Sequence, residues 1–144
     1  MKISLPQHVL EFVESMTTLT PPPDAIWLIG SRANGRATEQ SDTDLLVFAP
    51  PSFLTALRAR VPAPSAIDCL VVDAQGGYQD AWQEKSGSLA GLKWKQIGAD
   101  TARYIGTKWV SDVEEYDDEP TYSVGTSGQL LQLNEKAICI YPST

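Results

Sequence analysis

Three aspartates in the first half of the chain have the residue type and spacing of a metal site. Asp42 and Asp44 are two residues apart, so their side chains share one face if strand geometry begins at Asp42. Asp68 lies inside an apolar run, where a carboxylate is costly unless it is paired or binds a metal ion. Neighbouring carboxylates repel each other unless a cation separates them, and Mg²⁺ prefers oxygen ligands. The three residues therefore predict a magnesium site that acts on phosphates.

A glycine and a serine precede these aspartates and could hold the phosphates. Gly30-Ser31 follows an apolar run, and a glycine lets a triphosphate approach the backbone closely. The amides of a following helical turn favour anions, Ser31 adds a hydroxyl donor, and Arg32 and Arg36 could add positive charge. Structural alternatives stay open for each feature alone: Asn34-Gly35 could be a tight turn, and Asp68 could pair with an arginine.

The elements that must position these residues follow from the apolar pattern. Residues 5–16 have helical periodicity, and a second short helix is predicted after residue 52. Continuous apolar runs predict buried strands at 25–29, 44–48 and 66–72. The order helix, strand, strand, helix, strand predicts an α+β fold with a mixed sheet flanked by helices. If strand 66–72 lies beside strand 44–48, the three carboxylates meet at one end of the sheet, where two metal ions could activate a hydroxyl and stabilise a leaving oxygen.

The motifs over roughly residues 5–75 resemble those of a known family. Gly30-Ser31-Arg32-Ala33-Asn34-Gly35, followed by Ser41-Asp42-Thr43-Asp44-Leu45-Leu46-Val47, is similar to the GSxARG and SDxDLxV signature of the minimal nucleotidyltransferases of the DNA polymerase β superfamily. The resemblance implies a polymerase-β-like fold, Mg²⁺ bound by Asp42, Asp44 and Asp68, and phosphates bound by Gly30, Ser31 and Arg32. It also implies transfer of a nucleotide, with AMP from ATP as the first candidate, to a hydroxyl of a protein, an RNA or a small molecule.

One position departs from the family signature. Asn34 stands where the family often has arginine, and the expectation is that this position lies beside the nucleotide. The change therefore bears on triphosphate affinity or on nucleotide choice. The three carboxylates and Gly30-Ser31 are intact, which favours a working enzyme.

The second half of the chain gives weaker signals. We expect one domain over residues 1–144, with a core motif region at 1–75 and a C-terminal antiparallel extension, 76–144, that packs on it. Alternation predicts a strand at 92–97, where Lys93 or Lys95 could form part of an acceptor wall. The remaining expected elements are a short helix at 100–105, an acidic loop at 112–119, and a meander of strands at 122–124, 129–133 and 137–141 with its last turn at 134–136.

The composition of the chain limits the kinds of partner that we expect it to bind. The net charge of −7 gives no broad basic surface, so duplex nucleic acid is not expected as a ligand. There is no apolar run of the roughly 20 residues needed to cross a bilayer, and residues 1–8 do not resemble a secretory signal. We therefore expect a cytoplasmic protein without membrane contact. Cys69 and Cys139 lie in apolar runs and are expected to be free thiols.

Two function classes remain after these observations. The first is the magnesium-dependent nucleotidyltransferase, with a nucleoside triphosphate as its substrate. The second is an antitoxin-like binding module that neutralises a separate HEPN-type toxin by contact and keeps a vestigial nucleotide site. The resemblance implies both classes, since antitoxin partners of HEPN toxins belong to the same group.

Overall fold

The computed structural model describes residues 5–38, 40–110 and 129–142, and side chains within these ranges except at 107–110 and 129–131. The described elements, in chain order, are α1 (Gln7–Thr17), β1 (Ala25–Ile29), β2 (Thr43–Phe48), α2 (Phe53–Arg60), β3 (Ile67–Val72), β4 (Gly77–Asp80), β5 (Ser86–Ser88), α3 (Leu89–Leu92), β6 (Lys95–Gln96), β7 (Thr101–Val110) and β8 (Gln129–Tyr141). None of the helices in these ranges has the length and apolar character required to cross a bilayer.

The strands form one mixed sheet of eight strands in the order β5-β4-β3-β2-β1-β8-β7-β6. Only β2 and β3 run parallel, because α2 connects them and returns the chain to the same end of the sheet. The other pairs are antiparallel, and β8 joins the first half of the chain to the second by pairing with both β1 and β7. The expected α+β fold with a mixed sheet is confirmed.

Each face of the sheet carries its own apolar cluster. On one face, α1 and α2 pack through Val9, Phe12, Met16, Phe53 and Leu57 against the inward residues of the central strands. On the other face, Trp27, Leu46 and Leu70 pack with the segment that follows β5, including Trp94. The centroids of the Trp27 and Trp94 rings are 5.3 Å apart in an edge-to-face arrangement. The C-terminal half therefore extends the sheet and covers part of this second face.

The predicted elements of the first half are confirmed within one or two residues, whereas several in the second half are wrong. Residues 100–105 do not form a helix; β7 begins at Thr101, because the alternation of buried Ala102 and Tyr104 with exposed Arg103 has the period of a strand. The turn expected at 134–136 is absent, since β8 continues through it as one strand with Glu135 buried.

The predicted strand at 92–97 is only partly present. Leu92 ends α3, and only Lys95–Gln96 is a strand, because Lys93 takes the left-handed conformation that terminates the helix. The hairpin of β4 and β5 was not predicted. The predicted loop at 112–119 and strand at 122–124 lie outside the described residues. Cys69 and Cys139 are free thiols, as expected.

Candidate active site

Asp44 and Asp68 are neighbours across the one parallel strand pair of the sheet. The register of β2 and β3 sets Asp44 opposite Asp68, so the crossover through α2 brings the two carboxylates together. Both residues lie on the face opposite α1 and α2, because they alternate with core residues that face the helices. Burial, together with the hydrogen bond to Asp68 and its charge, raises the pKa of Asp44 from 3.8 to about 6. The expected convergence of these two aspartates is therefore present.

Gly30 lies directly against the Asp44 carboxylate. It follows Ile29, which is the β1 residue paired with Asp44, and it has a φ of +76°. A methyl group added at Gly30 would overlap the Oδ2 atom of Asp44. Two separate constraints therefore require glycine here. The backbone is left-handed, and the place of a side chain is occupied by the Asp44 carboxylate.

Asp42 belongs to the same end of the sheet but differs from the other two aspartates in its surroundings. It is exposed and precedes the first residue of β2, so strand geometry does not hold it. Its charge is near enough to contribute to the raised pKa of Asp44. Among residues 5–38, 40–110 and 129–142, no three His, Cys, Asp or Glu side chains are grouped to bind a metal ion.

This donor set is compatible with one magnesium ion that also binds a nucleotide. Mg²⁺ in nucleotide sites is commonly held by one or two carboxylates, with water and phosphate oxygens completing its shell. Asp44 with Asp42 meets that requirement, and the backbone of the Gly30-Ser31 turn lies directly against Asp44. Asp68 is a different case, because side chains of the same chain already bind it.

Both carboxylate oxygens of Asp68 accept hydrogen bonds from the connection between β4 and β5. Lys85 Nζ donates to Oδ2 at 2.9 Å, and Gln83 Nε2 donates to Oδ1 at 3.0 Å. Burial alone would raise the pKa of Asp68, but these two hydrogen bonds, together with the one from Asp44 and the charge of Lys85, outweigh burial and hold the pKa below its ordinary value. Asp68 is therefore ionised at neutral pH. The sequence had no local signal for this pairing, because a lysine 17 residues away could lie anywhere.

Arg32 is directed towards the loop before Asp42. Its guanidinium donates to the carbonyl oxygen of Ser41 at 2.7 Å and, more weakly, to that of Thr38 at 3.5 Å. These contacts hold the loop that leads into Asp42. The assignment of Arg32 to nucleotide phosphates stays a prediction. Arg36 is also engaged, since it forms a two-pronged ion pair with Glu135 of β8 at 2.6 and 3.2 Å.

Asn34 attaches the glycine-serine turn to β8. Its side-chain amide donates to the carbonyl oxygens of Gly30 at 2.8 Å and Lys136 at 3.1 Å, and its oxygen accepts from the Lys136 amide at 2.9 Å. The two contacts with Lys136 have the donor and acceptor pattern of the hydrogen bonds that a neighbouring strand would form. Asn34 therefore has a structural role in this chain, whatever its relation to a nucleotide.

Tyr104 of β7 holds the same turn from the other side. Its hydroxyl accepts a hydrogen bond from the Gly30 amide at 2.8 Å, and its ring stacks on Trp94 with a centroid separation of 6.3 Å. Burial raises the pKa of Tyr104 to about 12, so the hydroxyl keeps its proton at any physiological pH. The local sequence pattern does not indicate a role for Tyr104, Gln83 and Lys85, because their partners lie far away along the chain.

Comparison with known proteins agrees with the motif assignment. A model of the family described as nucleotidyltransferase domain matches residues 9–116, a range that includes Gly30, Ser31 and the three aspartates. No curated protein and no solved structure matches the chain.

Proposed function

Because the chain belongs to the nucleotidyltransferase domain family, we propose that it transfers a nucleoside monophosphate from a nucleoside triphosphate to a hydroxyl group in a magnesium-dependent reaction. ATP is the first candidate donor. The observation that carries this proposal is the close approach of the Gly30 backbone to Asp44, next to Asp68. Two adjacent carboxylates favour a cation, and the glycine-serine turn directly beside them has donors for the phosphates of a metal–triphosphate complex.

Ser31 supports the nucleotide half of the proposal. Within the described part of the chain, neither its amide nor its hydroxyl donates a hydrogen bond, although its carbonyl accepts from Asn34 and Arg36. Both donors are therefore available to a phosphate. In the proposed complex, the glycine-serine turn lies against the β- and γ-phosphates and Ser31 donates the hydrogen bonds. Asp42 and Asp44 would hold the Mg²⁺, which neutralises phosphate charge when it is bound.

We expect Asp68 to take part in the chemical step. In the proposed reaction, the acceptor hydroxyl oxygen attacks the α-phosphorus and forms a new oxygen–phosphorus bond. The bond from the α-phosphorus to the bridging oxygen breaks, and pyrophosphate leaves with that electron pair. Asp68, ionised and fixed by Lys85 and Gln83, accepts the proton of the hydroxyl. Catalysis depends mainly on positioning and charge neutralisation, as in other phosphate transfers.

Isotope transfer tests the proposal directly. ATP labelled at its α-phosphate is incubated with the protein, Mg²⁺ and candidate acceptors, and label in the acceptor is measured. Asp44→Asn should abolish transfer, whereas Ser31→Ala should mainly raise KM through the loss of a phosphate contact. Asp68→Asn should leave ATP binding near normal and lower kcat by roughly two orders of magnitude or more. Failure of the wild-type protein to bind ATP with Mg²⁺ at millimolar concentrations would refute the proposal.

The second candidate function is the antitoxin-like module that neutralises a separate HEPN-type toxin by contact. The ion pair at Asp68 is the observation that favours it, because a carboxylate held by lysine is a weaker base. The two functions differ in one measurable respect. If Asp42→Asn and Asp44→Asn still neutralise the toxin and the wild type transfers no label to any acceptor, contact is the function and transfer is not.

A further inference from the structure

Lys85 binds the carboxylate of Asp68, the residue that the sequence predicts as a third metal ligand. Its ammonium group lies 2.9 Å from Asp68 Oδ2, on the carboxylate that neighbours Asp44. The other oxygen of Asp68 is bound by Gln83 at 3.0 Å. A divalent ion could use Asp68 as a ligand only by displacing one of these donors or by sharing a carboxylate oxygen with it.

The backbone holds Lys85 and Gln83 at this place. Asp80, which is only 2% exposed, accepts hydrogen bonds from the amides of Cys69, Trp82 and Gln83 at 2.8–3.1 Å. The Asp80 amide in turn donates to the Lys85 carbonyl oxygen at 2.8 Å. Asp80 therefore ties the connection between β4 and β5 to β3, the strand that carries Asp68. This anchoring separates Lys85 from an ordinary surface lysine, whose ion pairs contribute little.

From this geometry we infer that Lys85 is a tethered cation that takes the place of a second magnesium ion. The inference rests on the proposed nucleotidyl transfer. In this arrangement one divalent ion binds with the nucleotide at Asp42 and Asp44, and Lys85 supplies the positive charge at Asp68. A fixed lysine neutralises one charge and donates hydrogen bonds but cannot coordinate the attacking oxygen as a metal ion would, so the site is a one-metal variant of the two-metal arrangement.

A cavity adjoins the two residues that bind Asp68. It has a volume of about 680 Å³, and its lining includes Gln83 and Lys85 together with Arg58, Trp82 and Glu84. Gln83 and Lys85 thus contact both the cavity and the carboxylate of Asp68, which does not itself line the cavity. An acceptor bound in this cavity would meet the Lys85 ammonium, which carries the positive charge next to Asp68.

Counting bound manganese tests the inference without measuring activity. Mn²⁺ substitutes for Mg²⁺, and free Mn²⁺ is followed by electron paramagnetic resonance in the presence of a non-hydrolysable ATP analogue. The wild type and the charge-conserving Lys85→Arg should bind one ion per chain, whereas Lys85→Met should bind two. Lys136→Met removes the same charge from an exposed position and should still bind one ion. In EDTA, Lys85→Met should melt at a lower temperature, and Mn²⁺ should restore it.

The outcomes separate this inference from the proposed function. Two ions in the wild type, reduced to one by Asp68→Asn, would overturn the role of Lys85 and leave nucleotidyl transfer standing. One ion in both the wild type and Lys85→Met would also overturn it. No bound Mn²⁺ in any variant would overturn both proposals. If Lys85→Met does not fold, Lys85→Gln replaces it, and the wild-type count still decides between one ion and two.

Discussion

Replacing Asp44 by asparagine should stabilise the metal-free protein at neutral pH. The pKa of Asp44 is raised from 3.8 to about 6, chiefly by burial and by Asp68. Because the folded-state pKa lies above the unfolded value, the protonated group contributes stability that is complete below about pH 4 and is lost as the pH rises through about 6. The pKa of Asp68 is lowered, so its contribution disappears only at more acidic pH. In the pH range between these limits, the change in the free energy of unfolding therefore comes from Asp44.

The size of the effect follows from the shift. One pKa unit corresponds to about 1.4 kcal/mol, so ionising Asp44 costs the folded chain about 2–3 kcal/mol at neutral pH. Asparagine has the same size, carries no charge, and can donate to Asp68 as the protonated acid does. Asp44→Asn should therefore match the wild type near pH 4.5 and exceed its free energy of unfolding by about 2 kcal/mol at pH 7.5.

Urea unfolding in EDTA at several pH values between 4.5 and 7.5 measures this difference. Asp42→Asn is the matched control, because Asp42 is exposed and its replacement should change stability by less than about 0.5 kcal/mol. With saturating Mg²⁺ and ATP the order should reverse, since only the wild type gains binding energy. A difference between wild type and Asp44→Asn that stays constant from pH 4.5 to 7.5 would refute the reasoning about the carboxylate pair.

Three further predictions concern the parts that hold the site. Gly30→Ala should cost about 1–3 kcal/mol and abolish ATP binding, whereas Gly35→Ala, with a similar φ but open space, should cost about 1 kcal/mol and keep it, as measured by denaturation and calorimetry. Asn34→Arg should lower the free energy of unfolding by about 1–2 kcal/mol, because a guanidinium cannot accept from the Lys136 amide. A chain that ends at residue 75 should be insoluble or molten by circular dichroism, and cooperative unfolding with ATP binding would contradict this.

The site could be predicted where the signals are local. The strand that leads to Gly30 and the strands that carry Asp44 and Asp68 are short apolar runs with clear ends, so each can be identified without its distant partners. The parallel pairing of β2 with β3 follows from a helix between two buried strands. Once β2 and β3 are adjacent, Asp44 and Asp68 must lie side by side, because each is at the same end of its strand.

The rest depended on contacts that a single sequence does not reveal. β7 and β8 contain many polar residues, and they become long strands because they pair with each other and β8 with β1. Turn residues at 134–136 remain extended because Glu135 is paired with Arg36 and Lys136 with Asn34. Pairing of this kind outweighs the local turn preference of Asn134. The same holds for Lys85, whose position depends on the anchoring of Asp80.

Asn34 shows why a departure from a family motif is weak evidence about activity. β1 ends at Ile29, whereas β8 extends beyond its last pair with β1, between Leu28 and Ile138. The main chain of Lys136 therefore needs a partner that offers both a donor and an acceptor. An asparagine amide has both groups, and an arginine side chain has only donors. Asn34 thus provides the partner that Lys136 of β8 lacks in β1. Through this contact, β8 positions the turn that carries Gly30 and Ser31, although it lies more than 100 residues away along the chain.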